Sequence, residues 1–171
     1  MPKSLAVRSE TWPIKGSFRI ARGAKTAADV VVVEIGDDRA TGRGECVPYP
    51  RYGETVEQVI SDIEALRSDI IGGLTRSELQ QRLKPGAARN AIDCALIDWE
   101  AKTSGRSAAD LLGLPGPIPV RTAYTLSLDT PDAMAHAAEA AALTYRTIKL
   151  KIAGAGDLER IEAVRKTAPT T

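Results

Sequence analysis

A proline and glycine cluster, PGPIP at 115–119, divides the sequence into two stretches of different rhythm and is its strongest domain boundary. Before it, strand-like runs come first and helical ones follow. After it the two alternate. VRTAYTLSL reads as a strand, Thr130 and Pro131 open a helix as N-cap and first helical residue, YRTIKLKIA reads as a second strand, and Asp157 opens a helix reaching about Thr167. A β-α-β-α order calls for crossover connections, which make the strands parallel and gather functional groups at their C-terminal ends, in a barrel or an open sheet. Two domains are expected, 1–118 and 119–171.

The first stretch predicts an α+β unit. LAVRSETWPI starts like a strand, and DVVVVEIG at 29–36 is a β-branched run of the length of a buried strand. Between them KGSFRIARGAKT, with two glycines and four basic residues, reads as a polar loop or hairpin tip. GDDRATGRG reads as a turn, and ECVPYPRYGE, with Pro48, Pro50 and Gly53, as a second irregular loop. Helical spacing then takes over. Thr55 and Gln58 form a capping box ahead of an apolar stripe at Val56, Val59, Ile60, Ile63 and Leu66, and Thr75 with Glu78 repeats the signal for a helix ending near Leu83. AARNAIDCALIDWEAKTSG puts Ala88, Ile92, Ala95, Leu96 and Trp99 on one helix face, with Gly105 as its stop.

With 171 residues, 43% of them hydrophobic, a real core is affordable. Lys+Arg 23 against Asp+Glu 22, with no run of five like charges, argues against nucleic acid or an anionic membrane as partner and for a small, locally recognised one. The start lacks the apolar core of a secretory signal and no apolar run reaches membrane-spanning length, so a cytoplasmic location is expected. Cys46 and Cys94 lie far apart and outside any C-x-x-C pair, and are expected as buried, reduced packing residues. The only histidine, His136, sits in an alanine-rich helical stretch and is expected to face solvent, which leaves little material for histidine metal clusters or Ser/His and Cys/His chemistry.

The chemistry concentrates at 147–154, TIKLKIAG. In a strand, Lys149 and Lys151 point to one side while Ile148, Leu150 and Ile152 point to the other. Two readings follow: a half-buried strand with its lysines in water, or a pocket wall on which each ammonium disfavours the other's charge and a neutral amine becomes available as a base. A parallel strand normally has both faces covered, which makes a solvated lysine face less natural.

These pieces resemble the enolase superfamily: an α+β capping domain, then a modified (β/α)8-type (TIM-like) barrel with a K-x-K motif at the end of its second strand. GAARNAIDCALIDWEAKTSGRSAADLLG is similar to the family's long cap helix and its exit, YTLSLDTPDAM to the first barrel strand and helix, and IKLKI carries the K-x-K. Within the superfamily (mandelate racemase/muconate lactonizing enzyme type), FRIARGAKTAADVVVVEI and GECVPYPRYGET resemble the bacterial L-Ala-D/L-Glu dipeptide epimerases. The resemblance implies an isomerase that moves the α-proton of a dipeptide through an enediolate, with Mg²⁺ on the adjacent carboxylate and lysines on opposite faces. Lys151 matches the base on one face, and Lys149 an electrostatic partner that also binds a carboxylate oxygen. Arg22, with Lys25 as the neighbouring alternative, is the candidate for pairing with the glutamate side chain, Thr125 for a hydroxyl near substrate, and Tyr52 for covering the pocket. Each also has a plain structural reading, as a solvated arginine, a packed strand threonine and a loop anchor.

The resemblance places three metal-binding carboxylates on the third to fifth barrel strands and the opposing lysine on the sixth. About 50 residues follow the Pro/Gly cluster, where a (β/α)8 barrel takes about 200 or more. The barrel is therefore expected to be truncated, the Mg²⁺ ligands to lie beyond residue 171, and the chain alone to be inactive and poorly folded, with exposed strand edges. Glu45, Asp93 and Asp98, in the cap, are not expected to substitute as ligands. The alternatives are another enolase-superfamily reaction, cycloisomerisation or dehydration, or a catalytically inactive binding module. A homo-oligomer stays open.

Overall fold

The structure, a computed structural model, describes residues 3–171. Two compact units are formed: the chain up to Trp12 with Ala28–Pro117, and Pro13–Ala27 with Ile118–Thr171. The second unit thus takes in a segment from the N-terminal stretch.

Strands β1 (Ser4–Ile20) and β2 (Gly23–Gly36) form a long hairpin around a two-residue turn at Ala21 and Arg22, and β3 (Thr41–Cys46) completes a sheet of order β1-β2-β3. β2 pairs antiparallel with β3, in the register Val31 to Cys46, Val33 to Gly44 and Ile35 to Gly42. KGSFRIARGAKT is therefore mostly strand, with the turn confined to its middle. β3 corrects the reading of GDDRATGRG and the following residues as turn and loop. Only 37–40 turns, closed by the Asp37 carboxylate, which accepts the amides of Arg39 at 3.0 Å and Ala40 at 3.2 Å.

In the first unit Val31, Val33 and Ile35 of β2 meet helices α1 (Val56–Ala65), α2 (Arg67–Ile71), α3 (Arg76–Arg82) and α4 (Ala87–Ser104). Burial follows the helical stripes. Val59 and Ile63 of α1, Leu79 of α3, and Ala88, Ala91, Ile92, Ala95 and Leu96 of α4 are all buried, a set whose removal from water supplies most of the unit's stability. The Thr55 hydroxyl accepts the Gln58 amide at 3.1 Å, Thr75 and Glu78 form a full capping box, and Gly105 ends α4 in the left-handed region at φ 66. α2 extends the first helical stripe beyond Leu66 and buries Ile70. α5 (Ala108–Leu111) begins with a second capping box, Ser107 with Asp110.

β3 packs directly on α4, and its two glycines make that possible. A Cβ on Gly42 would overlap the Ala95 carbonyl oxygen and the Trp99 amide, and one on Gly44 the Ala91 carbonyl oxygen. Backbone meets backbone there, which only glycine permits.

In the second unit β4 (Ala123–Thr125) and β5 (Thr147–Lys149) pair in parallel, joined through α6 (Pro131–Ala142) and followed by α7 (Asp157–Thr167). The ladder covers three residue pairs, shorter than the two strand-like runs suggested. Leu126, Met134, Ala138, Ala141, Val164 and Ala168 form the core, with Ile148, Leu150 and Tyr145 packed against it, and Tyr145 stacks on Tyr124 at 4.8 Å. Thr130 caps α6 by accepting the Ala133 amide at 3.3 Å, with Pro131 in the first turn.

Candidate active site

Because Ile148 and Leu150 turn toward the helices, alternation directs Lys149 and Lys151 to the opposite face of β5 and its extension. Lys149 is the Cα partner of Thr125, and paired residues of parallel strands share a face. Thr125, Lys149 and Lys151 therefore stand together, at the C-terminal ends of two parallel strands. Lys149 is exposed, while Thr125 and Lys151 are half-buried. The Lys151 ammonium lies 5.7 Å from the ring centroid of Phe18, which the β1–β2 hairpin brings to it.

The loops leaving the two strands are braced. Asp157 accepts the amides of Ala153 at 3.0 Å and Gly154 at 2.6 Å, and these two amides hold its carboxyl below the usual carboxylate range. Arg160 completes the brace, donating to Asp157 at 3.0 Å, to the Ala155 carbonyl at 3.0 Å and to the Asp129 carbonyl at 2.9 Å. One guanidinium thus ties the loop after β4 to the loop after β5.

Arg22 stands exposed in the hairpin turn of the second unit. Tyr52 belongs to the first unit. It ends a short 3-10 turn, Pro50–Tyr52, is 77% exposed, and has its ring 5.6 Å from that of Tyr49. It borders an open groove of about 970 Å³ whose polar walls include Glu54, Asp62, Arg82 and Arg89. The structure thus brings Thr125, Lys149 and Lys151 together in one unit and leaves Tyr52 in the other.

Cys94 departs from expectation. Cys46 is buried and Cys94 exposed, because α4 turns position 94 away from the Ala91, Ala95 and Leu96 stripe that enters the core. His136 is exposed. Asp93 is engaged by Arg76 at 2.9 Å, and Asp98 accepts the Arg43 amide at 2.8 Å and Lys102 at 2.7 Å. No three histidine, cysteine, aspartate or glutamate side chains cluster as a metal site among the described residues.

Phe18, Ser127 and Arg160 were not singled out from the sequence, and Asp157 only as the start of a helix. Phe18 is the chain's only phenylalanine, in a basic stretch, and Ser127 continues the Thr125 face by alternation. Those were the available signals.

A three-stranded sheet with helices against it, leading into a parallel β-α-β unit, is the architecture of the capping domain of the enolase fold and its continuation. A crystal structure of an enolase family member from Agrobacterium tumefaciens with homology to dipeptide epimerases, with bound sodium and L-Ala-L-Glu, superposes with a TM-score of 0.93 at 51% identity, over 99% of this chain and 52% of that one. A dipeptide epimerase from Enterococcus faecalis V583, complexed with Mg and L-Leu-L-Tyr, gives 0.83 at 30% identity, over 98% and 51%. The L-Ala-D/L-Glu epimerase of Escherichia coli K12 is 43% identical over 168 residues, 98% of this chain and 52% of its own length. Residues 3–113 match the mandelate racemase/muconate lactonizing enzyme N-terminal domain, and the chain belongs to that family, within the enolase superfamily. It spans about half the length of the curated relatives it matches.

Proposed function

We propose that the chain is the N-terminal part of a dipeptide epimerase of the L-Ala-D/L-Glu type, its second unit being the first β/α units of a (β/α)8 barrel. The observation that carries this reading is the shared face of Thr125, Lys149 and Lys151 at the C-terminal ends of two parallel strands, where barrel enzymes build their sites. The relatives named above as dipeptide epimerases support the substrate class.

In this reading Lys151 takes the α-proton of the dipeptide's C-terminal residue. Negative charge then develops on the adjoining carboxylate, and the Lys149 ammonium on the same face opposes it. The proton returns from a base on the other side of the α-carbon, outside these residues. Thr125 offers a hydroxyl beside Lys149, and the exposed guanidinium of Arg22 suits the second carboxylate of a glutamyl residue. Tyr52 is proposed to cover the substrate.

Magnesium is proposed on the strength of the Enterococcus complex. The described residues supply no metal cluster of their own, so its ligands would come from elsewhere in the protein. The cytoplasm is the proposed compartment. Two free thiols, one of them exposed, suit a reducing environment, and no helix among the described residues is long and apolar enough to cross a membrane.

The test is solvent exchange. In D₂O with magnesium, a polypeptide extended to its relatives' length should incorporate deuterium at the α-carbon of the glutamyl residue of L-Ala-L-Glu. Lys151→Ala should lower that rate by at least about 10² to 10⁴, the usual contribution of a general base. Exchange with no dipeptide, or exchange indifferent to Lys151, would overturn the reading.

A further inference from the structure

The Ser127 hydroxyl makes two hydrogen bonds across more than a hundred residues of chain. It accepts the Arg19 amide at 2.7 Å and donates to the Ser17 carbonyl at 3.1 Å. Ser17 and Arg19 are the two neighbours of Phe18. A third bond, from the Leu128 amide to the Arg19 carbonyl at 3.0 Å, fixes the same segment. One side chain thus grips the backbone on both sides of Phe18, and a residue held at both flanks has little freedom left in its own φ and ψ.

We propose that Ser127 is a positioning residue, whose hydroxyl seats the Phe18 ring over the Lys151 ammonium. The assignment of Lys151 as the base rests on the function proposed above; the seating itself is a matter of geometry. By alternation Ser127 lies on the face of Thr125, the face it shares with Lys149 and Lys151, so the clamp and the amine occupy one surface. The ring centroid stands 5.7 Å from the Lys151 nitrogen, so its apolar face walls one side of that side chain. A lysine has four side-chain torsions, and an apolar wall on one side removes many of their combinations. The amine therefore spends more of its time where a proton can be taken, and water is kept from that side of it. Serine is suited to this role because its one hydroxyl can accept and donate at once, as the two bonds to Ser17 and Arg19 require.

The experiment reads the amine directly, in the polypeptide extended to its relatives' length and labelled with ¹³C-lysine. Protons above an aromatic face resonate upfield, so the Lys151 ε-CH₂ signal, identified by its disappearance in Lys151→Arg, should stand upfield of the other lysines. Phe18→Leu, which keeps an apolar side chain and leaves the Ser127 hydrogen bonds in place, should return it to the position of the others. Ser127→Ala should do the same, and Ser127→Thr, which restores a hydroxyl, should keep the upfield position. A Lys151 signal among the other lysines in the unsubstituted chain, or one unmoved by Phe18→Leu or by Ser127→Ala, overturns the proposal. If Ser127→Ala fails to fold, Ser127→Val, which has the shape of threonine without its hydroxyl, replaces it: a signal that stays upfield in Ser127→Val as in Ser127→Thr overturns the proposal. In the extended polypeptide Ser127→Ala should slow α-proton exchange about 10- to 100-fold with KM little changed, the cost of a misplaced reacting group. An upfield signal that behaves as expected in a protein that exchanges no dipeptide would defeat the epimerase reading and leave the clamp standing.

Discussion

Glu54 reaches thirty-three residues along the chain to accept the Ala87 amide at 2.7 Å, and its second oxygen accepts the Tyr49 amide at 3.1 Å. Ala87 opens α4, and Gly86 at the N-cap has no side chain with which to satisfy it. A carboxylate borrowed from another part of the chain does so, and its charge suits the positive end of the helix. The same carboxylate holds the loop that carries Tyr52.

Glu54→Ala should therefore cost about 1.5–3 kcal/mol, the range for hydrogen bonds to a charged group. Urea unfolding measures it. Faster amide exchange at Tyr49 and Ala87 than elsewhere in the cap would localise the loss, and uniform exchange would count against the anchor.

Gly44→Ala places a methyl group where the Ala91 carbonyl oxygen stands, and Gly42→Ala one where the Ala95 carbonyl oxygen stands. Neither obstacle is a flexible side chain. Each substitution should destabilise the fold by roughly 3 kcal/mol or more, at or beyond the upper end for overpacking. Denaturant midpoints test this, and an alanine tolerated within 0.5 kcal/mol, roughly a neutral surface change, would contradict the packing of β3 on α4.

The two thiols should react at different rates. Native protein should take one equivalent of iodoacetamide at Cys94, slowed by the partial burial that raises its thiol above the ordinary value, and a second, at Cys46, only on unfolding. Burial pushes the Cys46 thiol up to about 11 from an ordinary value of 9.0. The folded state favours the protonated thiol, so its contribution is complete below pH 9 and falls as pH rises from about 9 towards 11. Cys46→Ala should flatten that alkaline slope.

Asp157 behaves in the opposite sense. Its carboxyl is held low by the Ala153 and Gly154 amides, so its contribution is present above the usual carboxylate range and is lost as pH falls through its lowered value. The amide signals of Ala153 and Gly154 should move on acidification, and Asp157→Asn should loosen the 153–157 loop at neutral pH. Signals that stay put in both would show that the brace does not hold the loop.

The helices and their caps were legible because a cap is local: Thr75 and Glu78 lie three residues apart, and so do Thr130 and Ala133. The lysine face was legible because alternation along a strand is geometry alone. β3 was not. A strand is recognised by apolar residues on one face, and TGRGEC has glycine there, since the surface it meets is the backbone of α4. Phe18, Ser127 and Glu54 escaped for a related reason. Their distant partners lie 33 positions away for Glu54, 108 and 110 for Ser127 and 133 for Phe18, and nothing in the neighbouring residues marks them.

The bond between Arg19 and Ser127 spans 108 positions. A ribosome adding about 5–20 residues per second needs roughly 5 to 20 seconds to travel that far. Throughout that interval the hairpin tip, with its one phenylalanine, has been made and the serine that grips it has not. The second unit therefore cannot take in its N-terminal segment until Ser127 has been made, and that strand pair waits while the helices of the first unit are translated.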